Sequence, residues 1–291
     1  MRTRSLLGVI AIVPLLLAAC GDDRTTAPAT VPPPDSTLPE PDRTDDGGYQ
    51  HPTGADDVVL RIGFEGGFVT PEITFQDLPL VLVTGDGRLF QQGPVVAIYP
   101  GPLLPNVQVR TVSEAGIQSI LGLADQYDLL AEHTYERPDM IADAADTVVT
   151  INAGGETFEH RAYALGMGGG PDDTETDERR IALADFVREI QEYAVGPESD
   201  ELGPESAFEP DVFLVRTMLA GDWSGDDGIE PTVVDWPAEV SVRLDGEIEC
   251  AEIPADEVAE LFADANQLTW FAEDGNSYQV FVTPRLPGGG C

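Results

Sequence analysis

Hydrophobic and polar positions alternate between a period of two and a period of 3.6 from Val58 onward. The runs Leu80–Val83 and Leu89–Gln91 flank the turn sequence Gly85-Asp86-Gly87, which predicts a β-hairpin because glycine supplies the positive backbone angles of a tight turn. Ser113 then predicts the N-cap of an amphipathic helix. The predicted buried face of this helix has apolar residues at i, i+3, i+4 and i+7: Ile117, Ile120, Leu121 and Ala124.

A second hairpin and a second helix follow in the sequence. Val148–Ile151 and Phe158–Leu165 flank Gly154-Gly155 and predict two antiparallel strands. Asp177 predicts the start of a helix that ends before Gly196-Pro197. The predicted apolar side of this helix consists of Ile181, Ala184, Val187, Ile190 and Ala194. Residues 57–196 are therefore predicted to form one α+β domain.

Residues 205–291 show a similar mixture of patterns and predict a second α+β domain. Strands are predicted at Val212–Val215, at Val240–Leu244, at Ile248–Cys250 after the turn Asp245-Gly246, and around Trp270 and Val280 on either side of Asp274-Gly275. Pro254 suits the first position of a helix. The predicted apolar face of that helix consists of Val258, Leu261, Phe262 and Ala265.

The two blocks share one order of elements: strand, Asp-Gly turn, strand, helix, strand, glycine-containing turn, strand. An internal duplication of a ββαββ unit would explain this order. Chance would also explain it, because Asp-Gly hairpins and single helices are common, and the first block carries an extra helix and longer loops. The predicted fold class is α+β, with two blocks of antiparallel strands that each pack against one or two helices.

The first twenty residues have the features of an export signal. Arg2 and Arg4 precede an uncharged apolar run, Leu6–Leu17, which is shorter than the about 20 residues of a membrane-spanning helix. The run ends in Leu17-Ala18-Ala19-Cys20, which resembles the lipobox of bacterial lipoproteins. This resemblance implies a signal peptide over residues 1–20, a diacyl or palmitate-type lipid on Cys20, and a mature protein anchored to the extracytoplasmic face of the cell membrane.

Residues 21–56 are rich in proline, threonine and aspartate and are predicted to be a disordered linker, because they contain too few large apolar residues to form a core. The chain contains no lysine, which is typical of a GC-rich coding sequence. With its lipobox and acidic linker, it resembles the surface lipoproteins of unknown function in high-GC bacteria such as actinobacteria. That resemblance implies an address in the cell envelope and no particular activity.

Acidic residues dominate the charge of the chain. There are 53 Asp and Glu against 15 Arg, a net charge of −38, and removal of the two signal arginines leaves 13 − 53 = −40. Such a charge repels nucleic acid phosphates, so we expect no nucleic acid partner. Besides the membrane, contacted through the lipid, the expected partner is a basic protein, a basic peptide or an envelope polymer.

Three cysteines are present. If Cys20 carries lipid, Cys250 and Cys291 remain as an even pair in an oxidising compartment, which predicts a structural disulfide. A reactive thiol or a metal ligand is the competing interpretation. It would require histidine or further cysteine nearby, and none of the three histidines lies in the same segment.

No catalytic motif is recognisable in the sequence, and we predict no cofactor. Gly221–Gly225 has its serine one position too late for a nucleophile elbow. Paired carboxylates of a glycosidase are not specific in a chain with 53 acids. The segment Asp222–Glu230 approaches a calcium loop, with its glycine one residue late and Val233 at the twelfth position, and one specific calcium site there stays open as the alternative to no cofactor. The acids of 172–178 are more typical of a helix N-terminus.

The function expected from these observations is that of a non-enzymatic binding or interaction module of the cell envelope. The alternative is an extracytoplasmic hydrolase whose site is assembled from distant residues. His133 and His160 are its candidate residues, because histidine titrates near neutral pH. A third interpretation is a binding protein similar to secreted enzyme inhibitors, in which tandem helix-plus-sheet units also occur.

Overall fold

The computed structural model describes residues 47–167, 177–221, 228–244 and 246–291. Within this part of the chain the fold is α+β and consists of two β-sheets and a few helices. Cys20 and most of the calcium candidate Asp222–Glu230 lie outside the described residues. Where the structure is described, no helix is both long and apolar enough to cross a membrane.

The first sheet has seven described strands in the order β6-β5-β1-β2-β3-β4-β7, all antiparallel to their neighbours. Its strands are β1 (Val58–Gly66), β2 (Val81–Thr84), β3 (Arg88–Gln92), β4 (Val107–Thr111), β5 (Ala145–Ala153), β6 (Glu156–Tyr163) and β7 (Ser206–Ala207). Three helices belong to the same part of the chain: α1 (Pro71–Phe75), α2 (Glu114–Gln126) and α3 (Glu178–Ala194). Both predicted hairpins of the first block are confirmed, as β2–β3 and β5–β6.

Helices α2 and α3 contribute their apolar faces to the core of the first sheet. In α2 the predicted face is buried, and the Ser113 side chain accepts a hydrogen bond from the Gly116 N–H as predicted for an N-cap. In α3 the Asp177 side chain caps the helix, but the predicted position Ile181 is 39% exposed. The buried face is instead formed by Arg180, Leu183, Phe186, Val187, Ile190 and Ala194. The large Leu183 and Phe186 side chains set the orientation of α3, because burying them removes more apolar surface from water than burying Ile181 would.

The second sheet has the order β10-β8-β12-β11-β9, in which only the pairing of β9 with β11 is parallel among the described strands. Its strands are β8 (Val212–Leu219), β9 (Thr232–Asp235), β10 (Ala251–Pro254), β11 (Thr269–Glu273) and β12 (Asn276–Pro284). Helix α4 (Ala255–Ala263) packs on one face and buries Val258 and Phe262. This second core contains Phe213, Phe271 and Trp236.

The predicted strands at Val240–Leu244 and Ile248–Cys250 are not present in the structure. Val240 and Leu244 are buried in the second core, but their segment is coil. Its backbone groups are bonded by side chains instead of a neighbouring strand: Trp236 Nε1 donates to the Val242 carbonyl, and the Leu244 N–H donates to the Glu273 carboxylate. These bonds satisfy the backbone without a sheet partner, so the apolar alternation did not produce a strand.

The shared order of elements in the two blocks is not matched by a shared strand order. In the first sheet the hairpin after α2 joins through its first strand, since β5 pairs with β1. In the second sheet the hairpin after α4 joins through its second strand, since β12 pairs with β8. The topologies therefore give no support to a duplicated ββαββ unit.

Chain segments cross between the two sheets in both directions. Leu103, from the connection between β3 and β4, is buried in the second core. Leu286, which follows β12, packs against Leu82 and Phe90 on the face of the first sheet opposite α2 and α3. The side chain of Gln76, after α1, donates to the Val282 carbonyl of β12 over 3.2 Å.

Candidate functional site

The connection between β3 and β4, residues 93–106, forms a long loop that we call the β3–β4 loop. Its base is closed by a hydrogen bond from the Gly93 N–H to the Asn106 carbonyl over 2.8 Å. The Asn106 side chain also donates to the Pro94 carbonyl over 3.0 Å. Proline has no N–H to give to a strand ladder, so the four prolines between positions 94 and 105 favour a loop over a longer hairpin.

The far end of the β3–β4 loop is attached to the second sheet. Gly101 and Gln267 are bonded twice: the Gly101 N–H donates to the Gln267 side chain over 3.1 Å, and the Gln267 N–H donates to the Gly101 carbonyl over 2.9 Å. The neighbouring Leu103 N–H donates to the Ala265 carbonyl. The loop is thus held at its base and at its far end, where Gly101 and Leu103 lie more than 160 positions before their partners.

The middle of the β3–β4 loop exposes large apolar side chains to solvent. Val95 is 70% exposed, Ile98 is 64% exposed and Tyr99 is 59% exposed, and Val96 beside them is 56% exposed. Scattered exposed apolar residues are normal on a protein surface, but four within five positions of an anchored loop are not scattered. Contiguous exposed apolar surface of this kind is typical of an interaction site.

A cavity of about 480 Å³ lies beside this loop, and we call it the junction pocket. None of its thirteen lining residues is ionisable. Charged residues make up 23% of the whole chain, so a random sample of thirteen residues would contain about three of them. The lining is formed by Gln76, Gln92, Pro94, Val95, Val96, Ile98, Gly101, Pro102, Leu103, Leu104, Pro105, Asn106 and Gln267. An uncharged, largely apolar cavity with a few polar groups has the composition of a small-molecule or side-chain binding site.

Four carboxamides supply the polar groups of the junction pocket. Gln76 uses its Nε2 on the Val282 carbonyl, and Gln267 uses its Oε1 on the Gly101 N–H. Each therefore keeps its second amide atom available for a ligand, one as an acceptor and the other as a donor. The arrangement can orient a neutral polar group, and it contains no acid, base or nucleophile for catalysis.

His133 and His160, the candidate residues of the hydrolase alternative, lie close together, with ring centroids 5.9 Å apart. Neither lines the junction pocket. His160 is completely buried, and both of its nitrogens are bonded. Nε2 lies 2.8 Å from the Leu129 carbonyl, and Nδ1 lies 2.8 Å from the Tyr135 hydroxyl. A carbonyl can only accept a hydrogen bond, so the neutral ring carries its proton on Nε2. Its Nδ1 then accepts a hydrogen bond from the Tyr135 hydroxyl.

His133 lies beside Asp128 at the mouth of the same cluster. Its Nε2 is 2.6 Å from the Asp128 carbonyl and 3.1 Å from the Asp128 Oδ2, and its side chain is only 8% exposed. Asp128 has a positive φ of 60°, which turns the chain at the end of α2. The contacts of both histidines hold the segment after α2 against β6, which is a structural role.

Acidification is expected to destabilise the protein through His160. Burial lowers the pKa of His160 below its ordinary value of 6.5, with a smaller contribution from His133. Below about pH 6.5 the unfolded chain therefore binds this proton more readily than the folded protein. The contribution of His160 to stability is complete above that pH and is lost as the pH falls through the window below it. Urea unfolding at a series of pH values between 7.5 and 5.5 measures this loss.

Two variants separate His160 from the other histidines in this experiment. His160→Asn is expected to be less stable at neutral pH and to lose the pH dependence, because it removes the titrating group. His51→Gln removes a histidine outside the cluster, bonded to Glu114, and is expected to keep the wild-type dependence. An unchanged pH dependence in His160→Asn would contradict the assignment.

Cys250 and Cys291 form a disulfide with a Cα–Cα distance of 5.6 Å, which is the pairing expected from the sequence. Cys20, the lipidation residue predicted from the sequence, lies outside the described residues, as do Asp222–Asp227 of the calcium candidate and most of the acids at 172–178. The Asp177 side chain caps α3 by accepting hydrogen bonds from the backbone N–H groups of Arg179 and Arg180. Elsewhere in the described chain, no three His, Cys, Asp or Glu residues are grouped so that they could hold a metal ion.

Comparison with known proteins finds no match to a protein family model, to a curated protein or to a solved structure. The candidate site therefore rests on its own geometry. The β3–β4 loop is not among the elements predicted above from the sequence. The signal that could have revealed it is Val95-Val96-Ala97-Ile98, an apolar run inside a segment whose prolines argue against a buried strand.

Proposed function

We propose that this chain is a lipid-anchored, extracytoplasmic binding protein of the cell envelope, and that the junction pocket with the β3–β4 loop is its ligand site. The observation that carries the proposal is the coincidence of an uncharged cavity with four exposed apolar side chains on a loop anchored at both ends. A preformed site of this kind loses little conformational entropy on binding.

The chemistry of the site favours an apolar group that carries a neutral hydrogen-bonding function. Val96, Ile98 and Leu103 offer apolar contact, and the free atoms of Gln76 and Gln267 offer one acceptor and one donor. The net charge of −38 attracts a partner with basic groups around this apolar part. A basic protein, a basic peptide or an envelope polymer with apolar substituents fits this description.

The lipid anchor is supported by the sequence features of residues 1–20, above all Cys20 after Leu17-Ala18-Ala19. A tether of 36 residues, 21–56, would follow the acylated cysteine. Reach and a high local concentration at the membrane benefit a binding module more than an enzyme that acts on freely diffusing substrates.

Two observations favour binding over the alternative of a hydrolase. His160 has no free nitrogen with which to accept a proton, because Leu129 and Tyr135 occupy both ring nitrogens. The junction pocket contains no ionisable group that could act as general acid, general base or nucleophile.

A carboxylate at the β3–β4 loop is expected to weaken ligand binding. Val95→Glu places an unpaired charge on the rim of the apolar pocket, which should weaken binding about tenfold or more. Val195→Glu is the matched control, because Val195 is 72% exposed, against 70% for Val95, and does not line the pocket. The two variants carry the same charge change at equal exposure.

The measurement is crosslinking and affinity capture of the full lipidated protein from its native envelope at physiological salt, with mass spectrometry of captured proteins and glycans. We expect one partner near stoichiometry with the wild type and with Val195→Glu, and its loss with Val95→Glu. Equal melting temperatures of the two variants would show that folding is unaffected. Capture of the same partner by Val95→Glu would contradict the proposed site, and capture of nothing by the wild type would contradict the proposed function.

A further inference from the structure

One flank of the second sheet is left uncovered by its helix. Five strands about 4.8 Å apart span roughly 20 Å, whereas a helix with its side chains covers only about 10 Å. Helix α4 buries Val258 and Phe262, and the Phe262 ring lies 5.7 Å from that of Phe213 on β8 and 6.1 Å from that of Phe271 on β11. The coil that contains Val240 and Leu244 covers a further part of the same core. Strand β9 lies at the edge of the sheet, and its residues Thr232, Val233 and Asp235 are exposed.

A groove of about 380 Å³ runs between β9 and α4, and we call it the edge groove. Phe271 forms its floor and is completely buried as a residue. Val234 of β9 and Leu261 of α4 form its apolar walls and are partly exposed. Glu260 of α4 and Asp264, the C-cap residue that follows α4, contribute the acidic groups of its lining.

The outer edge of β9 presents unpaired backbone groups. The Thr232 N–H donates to the Leu268 carbonyl, and the Trp236 N–H donates to the Ala272 carbonyl, so these residues face β11. Successive residues of a strand point their backbone groups in opposite directions, so the N–H and C=O of Val233 and Asp235 point away from the sheet. Among the described residues, no strand pairs with this edge.

The charge of the groove selects its occupant. Neither Glu260 nor Asp264 forms an ion pair within the described part of the chain, and no basic residue lines the groove. A second copy of this chain would bring the same acids together at a net charge of −38 each, so self-pairing is disfavoured. A basic segment would satisfy the acids and the strand edge at once.

We propose that the edge groove and β9 form a docking site for an extended basic segment of a partner polypeptide, which adds to the second sheet as a further strand. Its backbone bonds to Val233 and Asp235. Side chains on the groove side lay their aliphatic stems over Val234 and Leu261 and carry a guanidinium or ammonium group to Glu260 and Asp264. Side chains on the opposite side lie beside Val233, which is 55% exposed. This inference does not depend on the junction pocket.

The test uses a fluorescein-labelled, capped hexapeptide of alternating arginine and valine, with an alternating glutamate and valine hexapeptide as control. Fluorescence anisotropy of the labelled peptide is measured against the full lipidated chain in detergent micelles. We expect saturable binding of the arginine peptide that weakens as salt is raised, and no binding of the glutamate peptide. Absence of saturable binding of the arginine peptide would overturn the proposal.

Two variants locate the binding. Val233→Pro removes the outward N–H at an edge position where proline is tolerated, and it is expected to abolish binding, whereas Val233→Thr should retain it. E260Q/D264N is expected to weaken binding about fivefold through the loss of two exposed ion pairs. D256N/E249Q changes the net charge equally at exposed positions outside the groove and should have a smaller effect.

Three results would overturn the proposal even if the arginine peptide binds. Binding that survives Val233→Pro would mean that the strand edge is not used. Equal weakening by the two double variants would mean that the peptide senses only the net charge. If sedimentation showed a dimer of the wild type that is absent in Val233→Pro, a second copy of the chain would occupy the edge of β9. The exposed acids are replaced without loss of a packed contact, so the double variants remain informative if Val233→Pro fails to fold.

Discussion

Replacement of both Cys250 and Cys291 by serine is expected to lower the free energy of unfolding by about 4 kcal/mol, because the disulfide closes a loop whose ends are 41 residues apart. The loss comes from the larger conformational freedom of the unfolded chain without the bond. Urea unfolding followed by circular dichroism would measure the change.

The disulfide also retains a segment that joins the two sheets. After β12, the Arg285 N–H donates to the Val212 carbonyl and Leu286 packs against the first sheet. Gly288 has a φ of +73°, and a Cβ there would lie 2.8 Å from Val58 Cγ2, so only glycine fits this approach. Without the bond at Cys291 this segment is expected to fray, and its amide protons should exchange faster.

Reductant provides the control for this prediction. Reduction of the wild-type protein should lower its unfolding midpoint to that of the double serine variant, whose own midpoint should not respond to reductant. A Cys20→Ser variant should keep the wild-type response, because Cys20 is not part of the bond. If oxidised and reduced wild type unfolded at the same urea concentration, the stabilising role of the disulfide would be refuted.

Arg180→Met is expected to lower the free energy of unfolding by about 3 kcal/mol, because carbonyls buried around the guanidinium lose their donor. Arg180 is 1% exposed, and its side chain leaves the first turn of α3. Nη1 donates to the carbonyls of Glu136 and Tyr163 over 2.9 and 3.1 Å, and Nη2 lies 3.4 Å from the Ala164 carbonyl. Methionine has a similar length and no donor, so the variant removes the hydrogen bonds more than the packing.

The neighbouring Arg179 supplies a matched control on the same helix. Arg179 is exposed, so Arg179→Met should change the stability by about 0.5 kcal/mol at most. The melting temperatures and urea midpoints of the two variants would be compared side by side. Equal stability of the two variants would show that the contacts of Arg180 contribute nothing beyond those of a surface arginine.

Several elements whose signals lie within a few residues were predicted correctly. The Ser113 cap of α2 joins residues three positions apart, and the β2–β3 hairpin depends on Gly87, which has a φ of +80°. Both interactions are local, so a single sequence displays them. The prediction of a strand at Val240–Leu244 was wrong because a strand depends on a distant partner. The alternation of apolar residues correctly predicted that Val240 and Leu244 are buried. A strand also needs a neighbouring strand, and here the side chains of Trp236 and Glu273 form hydrogen bonds with the backbone instead.

Residue order was enough to predict the mixed α+β class, most helices and hairpins, the extreme acidity and the cysteine pair, because each follows from composition or from neighbouring residues. The positions of the candidate sites could be seen only in the folded protein. The junction pocket joins Gln76, the β3–β4 loop and Gln267, and the edge groove joins β9 to α4. Such sites require contacts between residues far apart in the chain, and those contacts are set by how two cores bury their apolar surface together.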